Sequence, residues 1–346
     1  MISKKIKIIF AIFCSLGIIV GALAYGSASL STKSVFQILW NTILSREFFE
    51  VTWTNSMEIV VCYLRLPRIL MAFVTGAALS IVGVFMQTMT KNTLAEPYIL
   101  GISSGASAGA VTVIVLAANY VLLQKISIEQ GAFLGSLLSL LILFLLTSQH
   151  FFKGTQLILV GVGISAFFAA VTTLIIYNSR NNSQMVTAMF WMMGSLSAVS
   201  WESLLYPSIF TTILLIFGIL FSHELDILLL GEEEARILGV ATHFLKYFFL
   251  CFSSLVISMI VSVTGIIGFV GLIIPHIARK LIGYQHRNLL LFSTFLGGSF
   301  LVVVDSFART YFSPEEIPIG VVTAFIGSPL FLYIIRKKKQ GDGKRC

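Results

Sequence analysis

Residues 59–89 read IVVCYLRLPRILMAFVTGAALSIVGVFMQTM, an apolar run whose only charges are Arg65 and Arg68. About 20 apolar residues cross a bilayer as a helix. This run is longer, so its helix must tilt or project beyond the membrane. Pro67 suits a first helical turn, where its missing N–H leaves nothing unmade. Arg65 and Arg68 stand at i and i+3, on one helix face. They read either as interfacial side chains snorkelling to water or as a fork for the carboxylate of an extracellular partner.

Nine further runs have the length and polarity to span, at 8–26, 98–118, 131–150, 156–177, 204–222, 244–263, 267–283, 289–308 and 317–335. The run at 267–283 is short and glycine-rich. Of the 346 residues, 57% are hydrophobic and 11% charged, with a mean hydropathy of +0.95. A water-soluble globule could not hide that much apolar surface, and a disordered chain would not carry it. The fold class is therefore all-α: a polytopic membrane protein of ten transmembrane helices, one domain over residues 1–346. The first run follows Lys4, Lys5 and Lys7, and Ala22-Leu23-Ala24 resembles a cleavage site. Its apolar stretch is too long for a signal sequence, so it reads as a retained span.

The net charge of +8 is topogenic rather than a nucleic-acid footprint. With the N-terminus inside and ten alternating spans, sixteen of the 23 Lys and Arg fall inside and seven outside. Both termini are thus expected in the cytoplasm, in a multi-pass protein of the plasma (inner) membrane. Two longer connections, 27–56 with Trp40 and Trp53 and 179–203 with Trp191 and Trp201, fall outside. The tryptophans read as interfacial anchors, and the second stretch as a short helix at the outer surface. The segment 223–243 falls inside and carries a charged cluster, GEEEARILGV, at 231–240. It reads as a solvated loop or as a pair of short helices docking on a cytoplasmic partner.

Gly101, Gly105 and Gly109, and likewise Gly265, Gly268 and Gly271, are spaced for close helix approach, in plain packing or beside a translocation path. Asp305 and Arg309 form an i,i+4 pair near the outer end of the ninth span. The five histidines fall at the cytoplasmic side without metal-ligand spacing, and the four cysteines read as apolar packing residues. No metal site and no cofactor is expected. Gly343-Lys344 lacks the rest of a nucleotide-binding loop, so any ATP must be bound by another chain. Glu58 and Glu96 flank spans and do not sit at mid-membrane, so no carboxylate chain for proton coupling is evident. That weakens a secondary transporter, and the lack of convergent acid and base groups weakens a membrane enzyme.

Taken in order, several blocks resemble the FecCD-type permease subunits of ABC importers for vitamin B12, ferric siderophores and haem. They are Arg65-Leu66-Pro67-Arg68 through Gly76-Ala77-Ala78-Leu79, then Leu94-Ala95-Glu96-Pro97, Gly231-Glu232 with Leu238-Gly239, Gly268-Phe269-Val270-Gly271-Leu272, Pro275-His276, Asp305 with Arg309, and Pro318-Ile319-Gly320. Thr93 stands where the family usually has a proline. The resemblance implies a type II ABC importer permease fold working by alternating access, and a transport subunit rather than an enzyme. It implies two copies of a cytoplasmic ABC ATPase, an extracytoplasmic substrate-binding (lipo)protein and a second permease, identical or homologous. By motif, Gly231, Glu232, Ala235, Arg236, Leu238 and Gly239 would couple to the ATPase. Arg65, Arg68 and Arg309 would receive acidic residues of the binding protein. The path would be lined by the fifth and tenth spans, with a cytoplasmic gate near Gly154 and Thr155. The cargo expected first is an iron(III)–siderophore complex, with haem next and cobalamin third; a chelated iron brings its own ligands.

Overall fold

The computed structural model describes residues 4–26, 31–44, 48–117, 120–147, 154–179 and 181–342. Each of the ten apolar runs holds a helix, seven of them long and apolar enough to cross a membrane, and the described residues contain no strand. The long helices are α1 (Lys4–Ala24), α2 (Asn55–Met89), α3 (Ile102–Leu116), α4 (Ile128–Thr147), α5 (Gly154–Tyr177) and α6 (Trp201–Leu220). After the short α7 (Ser222–Leu228) and α8 (Glu232–Ile237) come α9 (Thr242–Thr264), α10 (Val270–Ile282), α11 (His286–Thr310) and α12 (Ile319–Asp342). Helices Thr32–Leu44 and Asn182–Met192 occupy the two longer connections.

The bundle is built around α2, which is largely buried while α1 and α5 are mostly exposed. At 35 residues α2 is about 52 Å long, well beyond a bilayer core of about 30 Å. Its first part is widened: Val60–Arg65 is π-helical, and the Leu66 N–H bonds to the Val61 carbonyl. Pro67 follows and has no N–H to give, so in that register the Cys62 carbonyl would go unpaired. The Trp201 indole N–H fills the gap, donating to the Cys62 carbonyl at 3.0 Å. Trp201 therefore pins α6 to α2 rather than serving only as an interfacial anchor.

Helices α2 and α11 run antiparallel with their backbones in contact. A side chain on Gly76 would land on the Gly297 carbonyl, and one on Gly297 on the Ser80 hydroxyl. The glycine ladder of α3 is used in the same way. Gly105 and Gly109 meet Gly135 and Gly131 of α4. Gly101 precedes α3 with φ 82°, the left-handed conformation that glycine permits, and continues the contact one turn on, its carbonyl accepting from the Ser139 hydroxyl of α4 at 2.8 Å.

The eighth run departs from expectation. Gly265 ends α9 at φ 67°, and residues 265–269 run non-helically to α10, only 13 residues long. Gly265, Gly268 and Gly271 thus do not share a helix face. Gly271 lies against the Leu79 carbonyl and the Gly83 backbone of α2. Gly83 is six residues, about 9 Å, from the end of α2 at Met89, so α10 starts deep within the bundle. Thr93 lies in the turn after α2. The Asn92 side chain accepts from the Leu94 N–H at 3.0 Å, and the Asn92 carbonyl accepts from the Ala95 N–H at 3.1 Å.

The α2–α11 contact predicts a contrast between glycines. Gly76→Val forces the two backbones apart and costs about 1–3 kcal/mol. Gly17→Val on α1, where a Cβ meets open space, leaves the melting temperature in detergent within error of wild type.

Candidate functional site

Two polar clusters cap the α2–α11 pair, one at each end. At the arginine end, Arg68 of α2 forks between two carboxylates. Its Nε and Nη2 donate to Asp305 of α11, the latter at 2.9 Å, and its Nη1 to Glu316 at 2.9 and 3.0 Å. Asp305 is 1% exposed, and Arg68 is the cation that answers it. The expected i,i+4 partner, Arg309, is the looser one at 3.9 Å.

Arg309 instead turns to α1. Its Nη2 donates to the carbonyls of Ala22 and Tyr25 at 2.5 and 2.9 Å. Arg65 Nη1 donates to the Leu23 carbonyl at 3.0 Å. The last carbonyls of a helix have no intrahelical donor, and the helix end carries partial negative charge. Two buried guanidinium groups thus close the C-terminus of α1. Arg65, Arg68 and Arg309 do come together, but facing inward. Of the Arg68–Asp305–Glu316 group, Glu316 is the exposed member.

At the opposite end, α7 and α8 form a short hairpin. Leu225, Leu228 and Ala235 are buried, while Leu229, Leu230, Ile237 and Leu238 are exposed, Ile237 at 85%. Gly239, at φ 84°, closes α8: the Val240 N–H reaches the Ala235 carbonyl and the Gly239 N–H the Arg236 carbonyl, a Schellman turn. The hairpin is tied to the long helices by polar contacts. Glu232 accepts from Lys246 of α9, and Arg236 donates to Thr242 at 3.2 Å and meets His243. Of the six coupling residues expected from the motif, Gly231 and Ala235 face the chain's own interior, Glu232 and Arg236 hold the hairpin in place, and Leu238 and Gly239 are exposed. The apolar residues Leu229, Leu230 and Ile237 were not singled out by the motif. Their signal in the sequence is that apolar side chains recur where a solvated loop would be polar.

The decisive tie at this end is His286. Its Nδ1 and its backbone N–H both pair with Asp226 of α7, at 2.6 and 2.8 Å, and its Nε2 lies 2.8 Å from the Thr88 hydroxyl of α2. One buried imidazole thereby joins α7, α11 and α2, and Asp226 also sits at the N-terminus of α11, where a carboxylate is favoured. Nothing in the sequence marks this trio, whose members are 60 and 198 positions from one another through His286.

Glu96 also lies deeper than its place between spans implies. Its carboxylate accepts the Phe269 N–H at 2.6 Å, at the N-terminus of α10, and the Ile267 N–H meets the Tyr98 hydroxyl at 3.3 Å. The break before α10 is thus held by side chains from the loop after α2. The expected gate residues Gly154 and Thr155 are the first two of α5; their side chains lie outside the described residues. Among the described residues, no group of three or more His, Cys, Asp or Glu is placed to hold a metal ion.

The profile of the FecCD transport family matches residues 10–337. The hemin transport system permease of Yersinia pestis is 38% identical over 324 residues, 93% of this chain and 94% of that one. A cobalamin import system permease of Halobacterium salinarum is 36% identical over 289 residues, 82% of this chain and 75% of that one. Among solved structures, an inward-facing "metal-chelate type ABC transporter" superposes with a TM-score of 0.79 at 30% identity, covering 97% of this chain and all of that one.

Burial works to raise the Asp226 carboxyl, but the hydrogen bonds and charge of His286 outweigh it and hold the group below the ordinary carboxylate range. The Asp226 contribution is therefore complete above about pH 4 and is lost as pH falls through the depressed folded value. Asp226→Asn should cost about 1 kcal/mol at pH 7, modest because the group is partly exposed. The gap between the wild-type and variant melting curves should persist at pH 5 and close below pH 4.

Proposed function

The chain belongs to the FecCD transport family, and on that footing we propose that it is the permease of an ATP-driven importer for an iron chelate, coupled to its ATPase through the α7–α8 hairpin. As an ABC importer permease it is a multi-pass membrane protein and not an enzyme, and its ATP is hydrolysed by a separate chain. The family implies that ATPase and a second permease subunit.

One observation carries the coupling reading. The hairpin is fastened inward by Asp226–His286 and Glu232–Lys246 while presenting Leu229, Leu230, Ile237 and Leu238 outward. A groove on the ATPase that grips this apolar edge would move α7, and through His286 would move α2 and α11 together. On this reading the hairpin and both termini are cytoplasmic and the arginine end is outside, as the excess of basic residues favours. Alternating access then follows from rigid-body motion of packed helices. The path is assigned to the α5 and α12 faces, with the gate near Gly154 and Thr155. Exposed Leu159, Phe167 and Phe325 leave those faces available to a second permease.

A substrate-binding protein outside would meet the arginine end. Because Glu316 already occupies Arg68, a carboxylate from that partner competes with an internal one. Haem is the first cargo to test, given the hemin permease at 38% identity; a ferric siderophore is the second, given the metal-chelate transporter of the same fold.

Ile237→Glu with Leu238→Glu should leave the protein inserted but lower ATP-dependent uptake by at least about tenfold, through loss of a buried apolar contact. Unchanged uptake would remove the hairpin from the coupling path. Glu316→Gln should free Arg68 and tighten capture of the binding protein several-fold, measured on reconstituted vesicles; weaker capture would argue against competition at Arg68. Growth of a deletion strain on haem against ferric siderophores as sole iron source decides the cargo.

A further inference from the structure

Helix α1 packs along α11, where the Ser299 hydroxyl donates to Ser15 at 2.7 Å. Beside this contact lies a groove of about 550 Å³, walled by Phe10, Cys14 and Ile18 of α1 and by Phe292, Phe295 and Leu296 of α11. Along α1 it runs from Ile6 to Ile18, about 18 Å of helix. One leaflet of a bilayer core is about 15 Å deep. The groove therefore has the length of an acyl chain lying in a single leaflet.

Its rim at the α7–α8 end is cationic. Lys7 lines the mouth and donates to the Leu281 carbonyl at 2.6 Å. Lys4 Nζ lies beside Gly283, just past the end of α10. Lys280 and Arg287, flanking that same turn, are exposed. No acidic residue occupies the first turn of α1 or of α11. An apolar channel one leaflet long, ending beside Lys4, Lys7, Lys280 and Arg287, with Asp226 the carboxylate that pairs with His286 at the N-terminus of α11, matches one kind of molecule better than another helix. Its tail is hydrocarbon and its headgroup carries net negative charge at the membrane surface.

We propose that this groove binds an acyl chain of an anionic phospholipid, with the phosphate held by Lys4, Lys7, Lys280 and Arg287. The inference rests on the membrane-spanning reading, and not on the cargo or the ATPase contact. A bound lipid here would brace α1 against α11, the helix that links the two polar clusters.

The test uses the purified permease, delipidated in detergent and titrated with phosphatidylglycerol or with phosphatidylcholine of identical chains, read by native mass spectrometry. Wild type should retain phosphatidylglycerol at least about tenfold more tightly, since several cations face the headgroup. Combined Lys4→Gln, Lys7→Gln, Lys280→Gln and Arg287→Gln should equalise the two lipids. Cys14→Trp, which fills the groove without touching the Ser15–Ser299 contact, should weaken both. Equal retention of the two lipids by wild type would overturn the proposal, as would wild-type binding by both variants. So would a Cys14–Cys14 crosslink in membranes of a Cys251→Ser, Cys346→Ser background, because a second copy would then cover this face. Failure of uptake with lipid retention intact would count against the transport reading and leave this one standing.

Discussion

The contact on which the molecule depends is the one where α2 and α11 meet across glycines. Gly76 and Gly297 bring two backbones together so closely that a Cβ on either would clash, with the Gly297 carbonyl in one case and the small Ser80 side chain in the other. Lipid gives helices no hydrophobic reason to associate, so this kind of close packing, with hydrogen bonds, has to supply the attraction. A pair packed this tightly has no room to slide. It is also fastened at both ends, by Arg68 and Asp305 at one and by Thr88 and His286 at the other. What moves one helix moves the other, and any displacement of α7 reaches that pair through Asp226.

Against this rigid pair stands a deliberate irregularity. Between α9 and α10 the backbone leaves the helix inside the bundle, where an unpaired N–H is costly. The structure meets the cost with side chains from a distant loop: Glu96 takes the Phe269 N–H and Tyr98 the Ile267 N–H. The broken segment touches α12 as well, since Gly327 packs against Phe269 and Gly320 against the Ile266 carbonyl. The half-helix α10 is thereby set between the rigid pair and α12.

How much of this the sequence disclosed follows from the range of the forces involved. Spans are legible because hydrophobic length is a local property. Seven of the ten expected spans are helices long and apolar enough to cross a bilayer, two more are shorter apolar helices, and even the excess length of α2 is evident from residues 59–89. The break before α10 was not legible, because a glycine-rich apolar run reads the same whether it is helical or held open by Glu96. Residue identity gave the arginine cluster but not its direction. Arg65, Arg68 and Arg309 look like surface groups until the C-terminus of α1 and the buried Asp305 arrive as partners. His286 was hidden for the same reason, since its partners come from two other helices. Charge and polarity mark a residue as important, and only tertiary structure says toward what it is turned.

That difference bears on how a signal at the arginine end would enter the molecule. Glu316 belongs to the loop joining α11 to α12, and the Ile317 N–H donates to the Ala308 carbonyl at the end of α11. Two residues on, the Ile319 N–H bonds to the Gly194 carbonyl at the start of α12. A force that drew Glu316 away from Arg68 would therefore act on the rigid pair and on α12 at once, through a loop too short to absorb it. At the opposite end the α7–α8 hairpin has the same character: it has an exposed apolar edge for a partner and a buried polar tie to α11. The two ends differ in chemistry, one ionic and one apolar, yet both deliver their load to α11. That convergence makes one helix the common element through which an event at either surface can be felt at the other.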